Sequence, residues 1–321
     1  MNIYDIAKEA GVSTATVSRY LNGSGYVGKS TAKRLADVIG AANYAPSAAA
    51  KALSTGTSLR LVGIVCYNID DMYYAKSVSV LEKALRQSGY EIILSCTGKS
   101  LEEKQKAISV LLSKGVDAII FVGSVFMDGS GKLVEGAAKS VPCFIINAVV
   151  EGDNIYCAYC DDRAAVREAA LAMLKEGCKN LLFLYDVETY GSESKREGFL
   201  SAVQSGKALM LPEDYDRAAE EIQSVLAEFS PDGIICSNDV LAAAALAAAR
   251  RNGVSVPGQL KIVGHNNSLL AKCSFPALTS IDNGVEKLSA VTAENIARLF
   301  RGEKIEKIFK TEYELVRRES F

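Results

Sequence analysis

Ile3, Ile6, Ala7 and Ala10 recur at the i, i+3, i+4, i+7 spacing of a helix with one buried face, and Gly11 ends the run. Ser13 suits the N-cap of a second segment over 14–21, with Val17 and Leu21 as its buried stripe. After Ser30 the helical spacing returns in Leu35, Val38, Ile39 and Ala42. Two helices joined by a short turn holding Gly11 and Val12, then a third, fit a helix-turn-helix; any small three-helix bundle shows the same spacing. From Arg60 onward the pattern changes. Short apolar runs at Leu61–Cys66, 92–96, Ala118–Val122, 144–146, Leu181–Tyr185, Gly233–Cys236 and 261–263 predict strands. Amphipathic stretches near 73–88, 101–114, 162–177, 194–204, 215–229, 239–252 and 285–301 alternate with them. Such β–α alternation predicts parallel sheets covered by helices. More than 250 residues of it exceed one comfortable sheet, so the fold class is α/β, a three-helix head on a two-lobed body. Open sheets of this kind bind ligands outside their strand carboxyl ends, here in the cleft between lobes.

Composition narrows the class. The 321 residues are 49% hydrophobic and 23% charged, an ordinary globular balance. No apolar run approaches a membrane span, and Met1 leads into Asp5, Lys8 and Glu9 instead of an apolar signal core, so a cytoplasmic chain with no membrane partner is expected. Eight cysteines then read as reduced thiols. With one histidine, a zinc site of histidines is excluded, and a Ser-His-Asp triad could be built only on His265. The net charge of −2 conceals an asymmetry: residues 1–58 carry six basic and three acidic side chains, the remainder 30 and 35. A basic head on an acidic body points to a polyanion met by the head.

The outward face of the second helix carries Thr14, Ala15, Ser18, Arg19 and Asn22. Arg19 could pair bidentate with guanine, and Thr14 and Ala15 could meet a thymine methyl. Ser13, Thr16, Ser18, Asn22 and Lys29 are placed for backbone phosphates. A solvated helix face is the alternative. Other motifs carry less. Gly23-Ser-Gly25-Tyr-Val-Gly28 matches GxGxxG but follows a helix, which fits a turn. Cys157 and Cys160 form a CxxC with no second pair, on alternating residues that look like a strand. His265 reads as a polar loop residue near the cleft, without a nucleophile in a motif. No Walker loop is present, and neither a cofactor nor a metal is expected.

The stretch IYDIAKEAGVSTATVSRYLNGSGYVGKSTAKRLADVIGAANYAPSAAAKALSTG closely resembles the DNA-binding headpiece of the lactose/galactose repressor (LacI/GalR) family. The likeness runs through the VSxxTVSR segment at 12–19, the NGSGYV loop and the NYxPSxxAxxL segment. It implies that Thr14, Ala15 and Arg19 read bases in an operator half-site of double-stranded DNA. Residues 46–53 favour helix from Pro46, yet about eight residues cannot hold a helix alone in water, and Ser54 to Ser58 form a tether. By resemblance this is a hinge helix that folds against DNA, with Ala50 and Leu53 at the minor groove and Leu53 wedged into it. The implied domains are a headpiece over 1–58 and an effector-binding, dimerising body over 59–321.

The body resembles the family too, through GIVCYNIDDMYYAKSVSVLEKAL, 161–168, IICSNDVLAAAAL and the IVGHNNS and FPALTSID stretches. The implied fold is that of periplasmic sugar-binding proteins, with lobes of about 59–159 plus 284–306 and 160–283 plus 307–321. Tyr73, Tyr74, Asn147, Lys195, Asn238, Asp239 and Asn267 are the implied effector contacts. Two departures stand out: Asn147 where Asp is frequent, and Lys195 where relatives place an arginine before a Gly-aromatic pair, here Gly198-Phe199. Lysine lacks the planar fork of arginine. Three function classes compete for this chain. A solute-binding protein has no use for a helix-turn-helix, and a Rossmann-type enzyme needs a nucleotide fingerprint at a strand end. An effector-controlled DNA-binding regulator explains head, tether and body together: a non-enzyme and, by family precedent, a homodimer and a repressor. Its effector is expected to be a sugar or sugar derivative, the alternative being a protein co-effector.

Overall fold

In a computed structural model, residues 1–23, 25–42, 44, 60–127 and 130–321 are described. The chain divides into two compact units, Met1–Leu59 and Arg60–Phe321. The expected hinge over 46–53, with Ala50 and Leu53, lies outside the described residues. Among the described residues no helix is long and apolar enough to cross a membrane.

The first unit holds α1 (Ile3–Glu9), α2 (Thr14–Asn22) and α3 (Lys29–Ala41). Asn2 and Asp5 cap α1 reciprocally, and Ser13 caps α2 by accepting from the Thr16 N–H at 3.2 Å. Ile6, Ala7, Ala10, Val17 and Leu35 form its buried centre, with Ile3, Val12, Leu21, Val38 and Ile39 packed around them. The buried stripes are those that the spacing predicts. Gly23 closes α2 in the left-handed region, at φ +61, so the GxGxxG run is a helix C-cap and turn.

The second unit is built on two six-stranded sheets. In chain order the first half runs β1 (Leu61–Cys66), α4 (Met72–Gln87), β2 (Glu91–Cys96), α5 (Leu101–Ser113), β3 (Ala118–Val122), α6 (Gly131–Ala138), β4 (Cys143–Ile146) and β5 (Ile155–Cys160). The chain then crosses into α7 (Asp162–Lys175), β6 (Leu181–Tyr185), α8 (Tyr190–Ala202), β7 (Lys207–Met210), α9 (Tyr215–Phe229), β8 (Gly233–Cys236) and α10 (Asp239–Arg251). It continues through β9 (Lys261–His265), α11 (Leu269–Cys273) and β10 (Thr279–Asp282), then α12 (Val285–Phe300), β11 (Ile308–Thr311) and β12 (Glu314–Val316). The first sheet has the order β11-β5-β4-β3-β1-β2 and is parallel throughout. The second has the order β12-β10-β9-β8-β6-β7, with β12 alone antiparallel to its neighbour.

Both faces of each sheet are covered, which explains why the strands read as unbroken apolar runs. In β3, Ala118, Ile120 and Val122 join one core while Ile119 and Phe121 join the other. The same geometry disposes of the CxxC: Cys157 and Cys160 are three apart on β5 and enter the cores on opposite faces, so they cannot chelate one ion. One lobe boundary moves. β11 pairs with β5 from Ile308 to Thr311, so these residues belong to the first lobe, not with 307–321 in the second. The short strand escaped notice because Ile308 and Lys310 are exposed at the sheet edge and leave no apolar run.

Candidate nucleic-acid interface and ligand cleft

On α2, Val17 is fully buried, and Ala15 and Arg19 are exposed, with Thr14 and Ser18 half-exposed. The helix therefore presents Ala15 and Arg19 on the face opposite Val17, with Thr14 half-exposed beside the buried stripe at its first turn. Ser13 and Thr16 hydroxyls lie 2.9 Å apart over the helix N-terminus, and the Asn22 amide donates to Ser18 Oγ at 3.2 Å. Lys29 is exposed at the start of α3. A helix N-terminus flanked by the Ser13 and Thr16 hydroxyls offers donors to phosphate oxygens.

In the body, a cleft of about 90 Å³ opens at the carboxyl ends of both sheets. Of the expected contacts, Tyr73, Tyr74, Asn147, Lys195 and Asn238 line it. Tyr73 and Tyr74 begin α4, with ring centroids 5.4 Å apart, edge to face. Tyr74 lies against Gly123, where a Cβ would come within 2.7 Å of the ring; only glycine at the end of β3 admits it. Asn238 caps α10 through the Leu241 N–H at 2.8 Å and donates its amide to Asp186 at 2.7 Å. Lys195 Nζ donates to the Ser237 carbonyl at 2.9 Å.

Two expected contacts stand elsewhere. Asp239 is buried beneath the cleft, accepting from Ser280 Oγ and the Ser268 N–H, both at 2.6 Å; its carboxylate ties α10 to the second sheet. Asn267 turns away to Asp282 at 2.9 Å and to Arg318, while its neighbour Asn266 lines the cleft. His265 is no loop residue: it ends β9, fully buried, with Nε2 at 3.3 Å from Asp162 Oδ1 and Nδ1 at 2.9 Å from Asn266 Oδ1.

Three acids that the sequence reading passed over complete the lining: Asp71, Asp162 and Asp186. Asp71 caps α4, accepting from the Tyr73 N–H at 2.7 Å. Asp162 opens α7 at the crossing between lobes and takes the Asn147 amide at 3.0 Å. Burial works against its charge, but the His265 imidazole, the Lys195 ammonium and the Asn147 amide outweigh it and hold the carboxyl at about 2. Burial pushes the Asp71 and Asp186 carboxyls above their ordinary value, hydrogen bonds and Lys195 notwithstanding. Asp186 immediately follows β6, a strand carboxyl end where ligand groups gather, and that position was its available signal. The lobes also touch directly. Tyr67 Oη donates to Glu213 at 2.8 Å, Lys99 pairs with the same carboxylate, and the Gly191 N–H donates to Ser124 Oγ at 3.1 Å.

A helix-turn-helix with an exposed face on its second helix and a two-lobed body with a polar cleft also describe known proteins. The model of the lacI family of bacterial regulatory proteins matches residues 2–47, and that of the periplasmic binding protein-like domain matches 170–321. An HTH-type transcriptional regulator of Lachnoclostridium phytofermentans is 36% identical over 313 residues, 94% of each chain. The chain belongs to the LacI family. Catabolite control protein A of Staphylococcus epidermidis is 30% identical to this LacI-family chain over 320 residues, covering 95% of it and 94% of the relative. The lac repressor dimer bound to operator and the anti-inducer ONPF shares its fold at TM-score 0.84 and 20% identity, over 100% of this chain and 98% of that one. A LacI-family regulator from Silicibacter pomeroyi superposes at TM-score 0.87 and 23% identity, over 100% and 99%. This LacI-family member is a DNA-binding transcriptional regulator with a periplasmic-binding-protein-like body, and its relatives are transcriptional regulators, not enzymes.

Proposed function

We propose that the chain is a repressor that binds a near-palindromic operator as a homodimer and answers to a sugar-like effector in the inter-lobe cleft. The observation that carries this reading is the exposure of Ala15 and Arg19, with Thr14 half-exposed at the first turn, on a capped helix-turn-helix helix. Thr14, Ala15 and Arg19 read base edges in each half-site; Ser13, Thr16, Ser18, Asn22 and Lys29 hold phosphates. The headpiece spans 1–58, and its hinge over 46–53 brings Ala50 and Leu53 to the minor groove.

Tyr73, Tyr74, Asn147, Lys195 and Asn238 bind the effector, with Asn266 in place of Asn267. The cleft of about 90 Å³ is smaller than the roughly 300–1,000 Å³ of small-ligand sites, so a sugar-sized ligand enters by parting the lobes. A ligand that prefers one lobe spacing shifts the population toward it, and with it the separation of the two headpieces in the dimer. Replacing Arg19 by Ala tests the core of this reading. On a preferred operator the loss is expected at about 1–3 kcal/mol, with relaxed preference at one base pair. Equal weakening on every sequence would make Arg19 a phosphate contact and overturn its reading role.

A further inference from the structure

The charge of the cleft is unbalanced. Three carboxylates line it, Asp71, Asp162 and Asp186, against the single ammonium of Lys195. Asp162 is accounted for by His265, Lys195 and the Asn147 amide. Asp71 takes the Tyr73 N–H and Asp186 the Asn238 amide, and both share Lys195, but neither has a cation of its own. They come from opposite lobes, one at the head of α4 and the other at the end of β6, and Asp186 acts on Asp71 as a like charge. Lys195 is anchored on the Ser237 carbonyl, and the remaining polar lining at Asn147, Ser124, Thr189, Ser192, Asn238 and Asn266 is uncharged. At the rim Glu213 adds a further negative charge, countered by Lys99.

Beside Asp71 stand aromatic faces. Tyr74 packs on Tyr73 and lies 6.0 Å from Tyr67, a grouping that favours a cation over its rings. One polar group of this lining lacks a hydrogen bond although its residue is more than nine-tenths buried: Tyr73 Oη. A buried group left in this state calls for a partner from the cleft.

We propose that the cleft takes a small polyhydroxylated ligand bearing a protonated amine, its ammonium seated between Asp71 and Asp186 against the tyrosine rings. The proposal rests on reading the cleft as the effector site and specifies the charge of what enters it. Neutral hydroxyls would satisfy the carboxylate lone pairs but leave the charge unbalanced. A phosphate or carboxylate would meet three acids with one lysine to oppose them. An ammonium gains a charge-assisted hydrogen bond from each lobe, so it also favours one lobe spacing over another.

The test is thermal unfolding of the full chain with D-glucosamine, D-galactosamine and D-mannosamine, each beside its parent hexose, its N-acetyl derivative and the 6-phosphate of the parent hexose. At least one free amine should raise the melting temperature, with its N-acetyl derivative bound about tenfold more weakly or worse. Asp71→Asn and Asp186→Asn should each weaken the amine by about tenfold or more. Asn is as good an N-cap as Asp, so Asp71→Asn should unfold no earlier than the parent chain. Equal or tighter binding of a hexose, N-acetyl sugar or phosphate overturns the proposal. If that binding is lost in Lys195→Ala, the cleft remains the effector site and only the amine is withdrawn. Silence from every compound overturns the amine and the sugar-like effector together.

Discussion

Asp162 and His265 show what a single buried pair does to the body. Asp162 is held at about 2 in the folded chain against about 4 in an unfolded one. A carboxyl with a depressed folded value adds stability that is complete above its unfolded value and is lost as pH falls through the folded one. The contribution is on the order of 2 kcal/mol, fully present above about pH 4 and gone near pH 2. Asp71 and Asp186, raised by burial, act in the opposite sense and cost stability as pH rises through their folded values. Urea unfolding from pH 6 downward should therefore show a steeper acid loss in the parent chain than in Asp162→Asn. Parallel profiles would remove the Asp162–His265 contact from the account.

Among the elements, α2 depends most on one cap. Ser13 supplies the hydroxyl that accepts from the Thr16 N–H, and Ser13→Ala should cost about 1 kcal/mol of headpiece stability, read by hydrogen exchange across α1 and α2 in the full chain. Unchanged protection would mean that water caps the helix as well. The cap was legible because Ser13 precedes a periodic stripe, as Leu35 and Val38 were legible in α3. Most central strands were legible for a related reason, since burial on both faces leaves runs such as Ala118–Val122 wholly apolar; β10 was not, because its buried Thr279 and Ser280 are polar. Edge strands β7 and β11 were not, since exposed Lys207 and Met210, or Ile308 and Lys310, break any pattern. In the cleft, Tyr73, Lys195 and Asn238 were legible from resemblance. Asp239 and Asn267 were misplaced because residues adjacent in sequence at a strand end point in different directions, and a motif match does not say which one faces the ligand. Asp71, Asp162 and Asp186 looked like ordinary caps and loop acids until the two lobes brought them together.

At the scale of the molecule, the lobes are linked where β1 and β2 end, through Tyr67 and Lys99 on Glu213, and across the cleft mouth by Gly191 and Ser124. The Glu213 pair is part-exposed, so it biases the lobe spacing by no more than about 1 kcal/mol. Glu213→Gln should raise exchange of the Gly191 amide by about two- to fivefold with little change in melting temperature. Unaltered exchange would mean that the link carries no part of lobe closure. A bias this small suits a regulator, because an effector of modest differential affinity can overcome it.

The most direct measurement is selection of duplex DNA from a random library with the full chain, at a stated salt concentration, followed by sequencing. The account predicts enrichment of an inverted repeat whose two half-sites lie about one helical turn apart, centre to centre. Enrichment lost with Arg19→Ala would tie that repeat to α2. Binding without any enriched sequence, or enrichment of a lone half-site, would contradict paired readout by two copies of this helix.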